Sequence, residues 1–216
     1  MCGGALITKN HVLTAAHCLY DLDLQDIQIV AASSNLRFQQ RKIYRLNSSI
    51  SYDEWAGMHE LTDTGFHDIA VIELDVQDTK IEPVSLTKLS DSELVGKKVT
   101  LAGWGDSNND DEPPSLLQKV SLTILDKEDC EKRVSSVWNK QCKLSSWMMC
   151  IAAEPWALGS NGDSGSPILD ANNDIVGVLS AVSEGTLDMA KCVNSIMQAS
   201  YYKKFIREVT MGEANF

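Results

Sequence analysis

The sequence predicts an all-β protein, and three observations carry that prediction. Short alternating or apolar runs recur along the 216 residues, turn-forming residues separate them, and helical periodicity is evident only near the carboxyl terminus. Spacing of this kind belongs to a β-sandwich or a barrel. The first two runs, "GALIT" and "HVLTAA", flank Lys9-Asn10 and read as a hairpin. "IQIVAA", "DIAVIEL", "KVTLAGWG", "LQKVSLTIL", "SPILD" and "IVGVLSAV" follow as further strands, with a break near residues 86 to 98 dividing them into two groups. "NNDDEPPS" and "DEWAGMHELTDTGFH" read as exposed loops. At the end, Tyr202, Phe205, Ile206 and Val209 fall at i, i+3, i+4 and i+7, the apolar stripe of a short helix packed on the body.

The formal net charge of −11 repels phosphate backbones and argues against a nucleic-acid partner. No run of about eighteen apolar residues occurs, so no membrane-spanning helix is expected. Six cysteines without a CxxC pair point to disulfides rather than a zinc site, hence to an oxidising compartment. The start "MCGGALITKN" lacks the basic region and apolar stretch of a secretory signal, and the expectation is that an amino-terminal part of the precursor precedes it.

The stretch "SNGDSGSP" at 160–167 sets an acid directly before Ser164 among glycines. A serine hydroxyl is a poor nucleophile until a base takes its proton and a third group orients that base. His17, in "LTAAHC", ends an apolar strand, and Asp68, in "HDIAVIEL", stands at the mouth of another. Each has an ordinary reading when taken alone: a polar turn, a core histidine, a strand-end cap. His67 points the opposite way from Asp68 by strand alternation and is read as a surface residue, while His11 and His59 are read as loop or turn residues. Trp104 is read as core packing, and Asn47-Ser48-Ser49 fits an N-glycosylation sequon.

"LTAAHC", "DIAVIEL" and "GDSGSP", in that order, resemble the three signatures of chymotrypsin-like (trypsin-fold, S1 family) serine peptidases. "CGGALI", "LAGWG", "MMC" and "GVLS" extend the resemblance over nearly the whole chain, and the His, Asp, Ser order separates it from subtilisin-like enzymes and α/β-hydrolases. The resemblance implies two six-stranded antiparallel Greek-key β-barrels, the first truncated at its amino terminus and so short of a strand. It divides the chain into a first barrel over 1–90, a second over 91–200 and a helix over 200–210.

It also implies roles for individual residues. Ser164 attacks a peptide carbonyl, His17 relays the proton, Asp68 holds the imidazole, and the backbone N–H groups of Gly162 and Ser164 form an oxyanion hole. Asp163 is the carboxylate that pairs with a new amino terminus on zymogen activation, and here it is expected to be unpaired. The implied disulfides are Cys2–Cys18 and Cys130–Cys150, leaving Cys142–Cys192 by elimination. No metal and no cofactor is expected, since "NLRFQQRKIYRL", where some relatives bind calcium, has no carboxylate. Expected partners are polypeptide substrates and protein protease inhibitors, with neither nucleic acid nor membrane, for a secreted monomer.

Four positions depart from the family pattern. Ser160 replaces a cysteine, Leu158 stands at the pocket floor where Lys/Arg-specific members carry aspartate, and the wall reads Ser180-Ala181-Val182 instead of Ser-Trp-Gly. Ser180 keeps a contact with Asp68. A desolvated basic side chain over Leu158 would lack a counter-charge, so a preference for small or medium apolar side chains is expected. The alternative is a catalytically lapsed homologue acting as a binding or regulatory protein. A lipase-like triad on another fold fits less well, since "GDSGS" leads into a strand where the elbow of that fold needs a helix.

Overall fold

The computed structural model describes residues 1–20, 22–37, 41–58, 67–75, 80–106, 114–153, 159–182 and 192–216. Its strands are β1 (Ala5–Leu6), β2 (His11–Thr14), β3 (Gln28–Ala31), β4 (Lys42–Ser51), β5 (Ala70–Leu74), β6 (Lys98–Gly103), β7 (Gln118–Ile124), β8 (Met148–Ala152), β9 (Pro167–Leu169), β10 (Ile175–Val182) and β11 (Asn194–Gln198). Four helices accompany them: α1 (Tyr52–Trp55), α2 (Asp91–Leu94), α3 (Lys127–Trp138) and α4 (Lys203–Val209).

The strands form two antiparallel sheets. The first, in the order β1-β2-β5-β4-β3, is open with five strands, a half-barrel, and the second, β10-β11-β8-β7-β6-β9, closes into a six-stranded barrel. β1 and β3 are the edges of the open sheet, and residues of both (Leu6, Ile29, Ala31) line an apolar cavity of about 80 Å³. The segment between the sheets is knitted into both, with Val84 N–H donating to Leu6 at 2.9 Å and Thr87 N–H to Ile175 at 2.9 Å.

One core cluster spans both sheets: Leu13 and Val71 from the first, Val178 and Met197 from the second, and Phe205 and Ile206 from α4. Tyr202, Phe205 and Ile206 are fully buried, as their spacing predicts. The barrel interior is filled by alternate residues of its strands, Val99, Leu101, Leu122 and Ile124 among them.

Three helices, α1, α2 and α3, lie outside the sequence expectation. α3 is capped by Asp126, whose side chain accepts the Asp129 N–H at 2.8 Å, and is ended by Asn139 in the left-handed region at φ 47°. Only Cys130 is buried on it, so its apolar stripe is too thin to show as periodicity. α1 falls inside the stretch read as an exposed loop, closed by a capping box between Ser51 and Glu54. Much of "NNDDEPPS" lies outside the described residues.

The two implied disulfides Cys2–Cys18 and Cys130–Cys150 are present, but Cys142 and Cys192 are not joined. The turn after α3 directs the half-exposed Cys142 thiol to the Lys140 carbonyl at 3.4 Å, whereas Cys192 is buried at the approach to β11. Elimination had paired two cysteines that the fold aims at different surroundings.

Candidate active site

Strand register brings two distant segments side by side. Thr14 at the end of β2 is paired with Ala70 at the start of β5, so the chain leaving β2 runs beside the chain entering β5. His17 sits three residues past Thr14, in a 3₁₀ turn over Ala16–Leu19, and Asp68 two residues before Ala70. Asp68 is buried at 3% exposure, and its carboxylate is fully engaged. Oδ1 accepts the His17 backbone N–H at 2.8 Å, and Oδ2 faces His17 Nδ1 at 2.7 Å and accepts the Ser180 hydroxyl at 2.6 Å. The hydrogen bond to Asp68 raises the His17 pKa above its ordinary value, against the opposing effect of partial burial.

The second barrel supplies the serine by the same device. Pro167 of β9 pairs with Val178 of β10; just before it, Gly165 N–H donates to Leu179 at 2.7 Å and Ser166 O accepts from Leu179 N–H at 2.9 Å. The backbone just after Ser164 is thereby tied to Leu179, the residue before Ser180, whose hydroxyl bonds Asp68. From the other side, Gly3 N–H donates to the Ser164 carbonyl at 2.7 Å and Thr14 Oγ1 donates to the Gly3 carbonyl at 2.8 Å. A Cβ on Gly165 would overlap Thr14 Oγ1, so the backbone beside Ser164 packs directly on the strand end that leads to His17.

No hydrogen bond joins Ser164 Oγ to His17 among the described residues; His17 Nε2 lies 3.8 Å from Cys18 Sγ. Catalytic hydrogen bonds are often loose before substrate arrives and tighten in the complex. Gly162 has φ +99°, a region that favours glycine, and neither its N–H nor that of Ser164 has an acceptor among the described residues. Two unpaired donors beside a half-buried serine can receive a developing oxyanion.

Asp163 is not the unpaired carboxylate the sequence suggested. Oδ1 accepts the Gly105 N–H at 2.8 Å and Oδ2 the Ser160 N–H at 3.0 Å, so the glycines of "LAGWG" leave room for it. Trp104 between them is only half-buried and belongs to no core cluster; its indole N–H reaches the Ser34 carbonyl at 3.4 Å.

Two histidine readings are corrected. His67 is 4% exposed, because the chain turns at Asp68 before β5 begins and strand alternation does not apply there. His11 is buried at the first position of β2, with Nδ1 facing Thr8 Oγ1 at 2.7 Å, and is not a loop residue. His59 and the pocket-floor Leu158 lie outside the described residues.

Ala181 and Val182 end β10, and Val182 pairs with Asn194. Asn194 escaped sequence reasoning. It is fully buried, accepts the Gly159 N–H at 2.6 Å and donates to the Ile151 carbonyl at 3.2 Å, so it fixes the backbone five residues before Ser164. An asparagine inside the mostly apolar stretch "CVNSIM" was its only sequence signal. Among the described residues, the one cluster of potential metal ligands is Cys2, His17 and Cys18, and its two sulfurs are spent in a disulfide.

Comparison with known proteins bears on the family and the fold. The trypsin family matches residues 1–206. Granzyme M of Rattus norvegicus is 30% identical over 97% of this chain and 79% of its own length. Serine protease filzig of Drosophila melanogaster is 28% identical over 97% of the chain, which spans only 12% of that protein. Among solved structures, mouse neuropsin, a serine protease expressed in the limbic system of the brain, superposes with a TM-score of 0.80 over 97% of this chain and 88% of its own, at 24% identity, a likeness of fold. With the three signatures set at the junction of a half-barrel and a closed barrel, and the family match running through both, the chain belongs to the trypsin family of serine proteases.

Proposed function

We propose that the protein is a competent serine endopeptidase that cleaves polypeptides through an acyl-enzyme formed on Ser164. The observation that carries this reading is the His17–Asp68 pair, with Nδ1 at 2.7 Å from Oδ2, beside a serine whose backbone is tied to the same strand end. His17 accepts the Ser164 proton as the hydroxyl attacks the carbonyl and returns it to the leaving amine. Asp68 keeps the proton on Nδ1 so that Nε2 is the basic nitrogen, and it stabilises the imidazolium that forms. The N–H groups of Gly162 and Ser164 take the oxyanion, and water then releases the acyl group by the same route.

The preferred side chain before the cleaved bond is apolar. Leucine at 158 offers no charge, and Val182 puts a side chain where the family pattern has glycine. Secretion fits the disulfides, and the natural antagonists are protein protease inhibitors. Cleavage of a randomised peptide library by the protein and its Ser164→Ala variant tests this reading. Serine-dependent cuts after small or medium apolar residues are expected; cuts after Lys or Arg would refute the specificity, and no serine-dependent cuts would refute the activity.

A further inference from the structure

Directly behind the site, His67 occupies a buried aromatic cluster that no step of the reaction uses. Its ring lies between Trp147, with centroids 4.2 Å apart, and Tyr52, at 4.5 Å. Nδ1 meets the hydroxyl of the fully buried Tyr202 at 2.9 Å. The backbone of the same residue shapes the next one, for the His67 carbonyl accepts the Ile69 N–H at 2.8 Å, a tight turn with Asp68 at its apex. Tyr52 closes the arrangement by donating its N–H to the Ile69 carbonyl at 3.0 Å.

An apex residue points its side chain wherever the two flanking residues are held. Ile69 is held by the core; His67 is held by its ring. We propose that His67, anchored through Tyr202, is a positioning residue for Asp68, setting the angle at which the carboxylate meets His17 and Ser180. It touches no substrate and acts through Asp68 on the peptidase reading given above. Burial lowers the pKa of His67, against the opposing pull of the Asp53 carboxylate on α1; Asp68 and the phenols of Tyr52, Tyr201 and Tyr202 also stand nearby. The Asp53 carboxylate interacts electrostatically with His67, which sets α1 beside the same turn.

The test uses the full chain with His67→Phe and Tyr202→Phe, two near-isosteric exchanges that keep the stack and remove either end of the hydrogen bond. The titration of His17, followed by NMR, reads the position of Asp68 without needing turnover. In both variants the His17 pKa is expected to fall toward its free value near 6.5, and kcat to drop about tenfold while KM holds. An unchanged His17 titration in either folded variant overturns the proposal, because the bond has two ends; should His67→Phe fail to fold, Tyr202→Phe alone decides. If the wild type cleaves no peptide, the peptidase reading fails while the titration still judges the positioning.

Discussion

Gly105 donates its backbone N–H to Asp163 Oδ1 at 2.8 Å, and a Cβ at Gly105 would overlap that same carboxylate. A glycine on one loop and an acid beside the nucleophile on another are therefore fitted to each other, and they fix the loop that carries Gly162 and Ser164. Gly105→Ala must displace Asp163, with an expected cost of about 1–3 kcal/mol in denaturant unfolding and a fall in kcat. Unchanged stability and rate would mean that the loop is not held by this contact.

Asp68→Asn preserves shape and removes the charge that selects the His17 tautomer. The expected loss in kcat is about 10⁴-fold, the magnitude typical of this exchange in Ser-His-Asp enzymes, with little change in melting temperature. Steady-state kinetics at saturating substrate measure it.

The pH profile follows from the raised pKa of His17. The base must be neutral, so kcat/KM is expected to half-rise above about pH 6.5 and to fall at lower pH. Stability runs the same way for a different reason. Burial lowers the pKa values of His11 and His67, so their contribution is present above about 6.5 and is lost as pH falls through their folded values. His17 has the opposite sign, its contribution being present below about 6.5 and lost as pH rises through its folded value, but with 37% of its side chain exposed it is weakened by solvent screening. Melting temperature is expected to drop between about pH 7.5 and pH 5, and His11→Gln to flatten that drop.

Cysteine chemistry separates the disulfide sulfurs from the two thiols. Alkylation of the native protein is expected to modify Cys142 and spare Cys192, with both modified after unfolding without reductant. Replacing Cys2 and Cys18 with alanine opens a bridge of sequence separation 16 and is expected to cost about 3 kcal/mol. Mass spectrometry of the digested protein and thermal unfolding supply the two readouts.

Eight of the eleven described strands and α4 were legible because their patterning is local: alternation in β6, a nearly continuous apolar run in β10, and the 202-205-206-209 stripe; β4, β8 and β11 were not read as strands. His17, Asp68 and Ser164 were legible because three ordered motifs resemble one family, not because of any property of each residue alone. What stayed hidden depends on tertiary position. α3 buries too little to show a period, and the burial of His67 follows from a turn rather than a strand. The shorter hydrogen bonds to Asp163 come from backbone N–H groups 58 and 3 residues away, which no side-chain pattern records.

The most direct measurement is the site of covalent capture by a fluorophosphonate, which reacts only with a serine activated by a neighbouring base. Peptide mapping is expected to place the adduct on Ser164, with the rate lost in His17→Ala and the adduct absent from Ser164→Ala. Failure to label, or labelling at another residue that survives Ser164→Ala, would contradict the assignment of nucleophile and base.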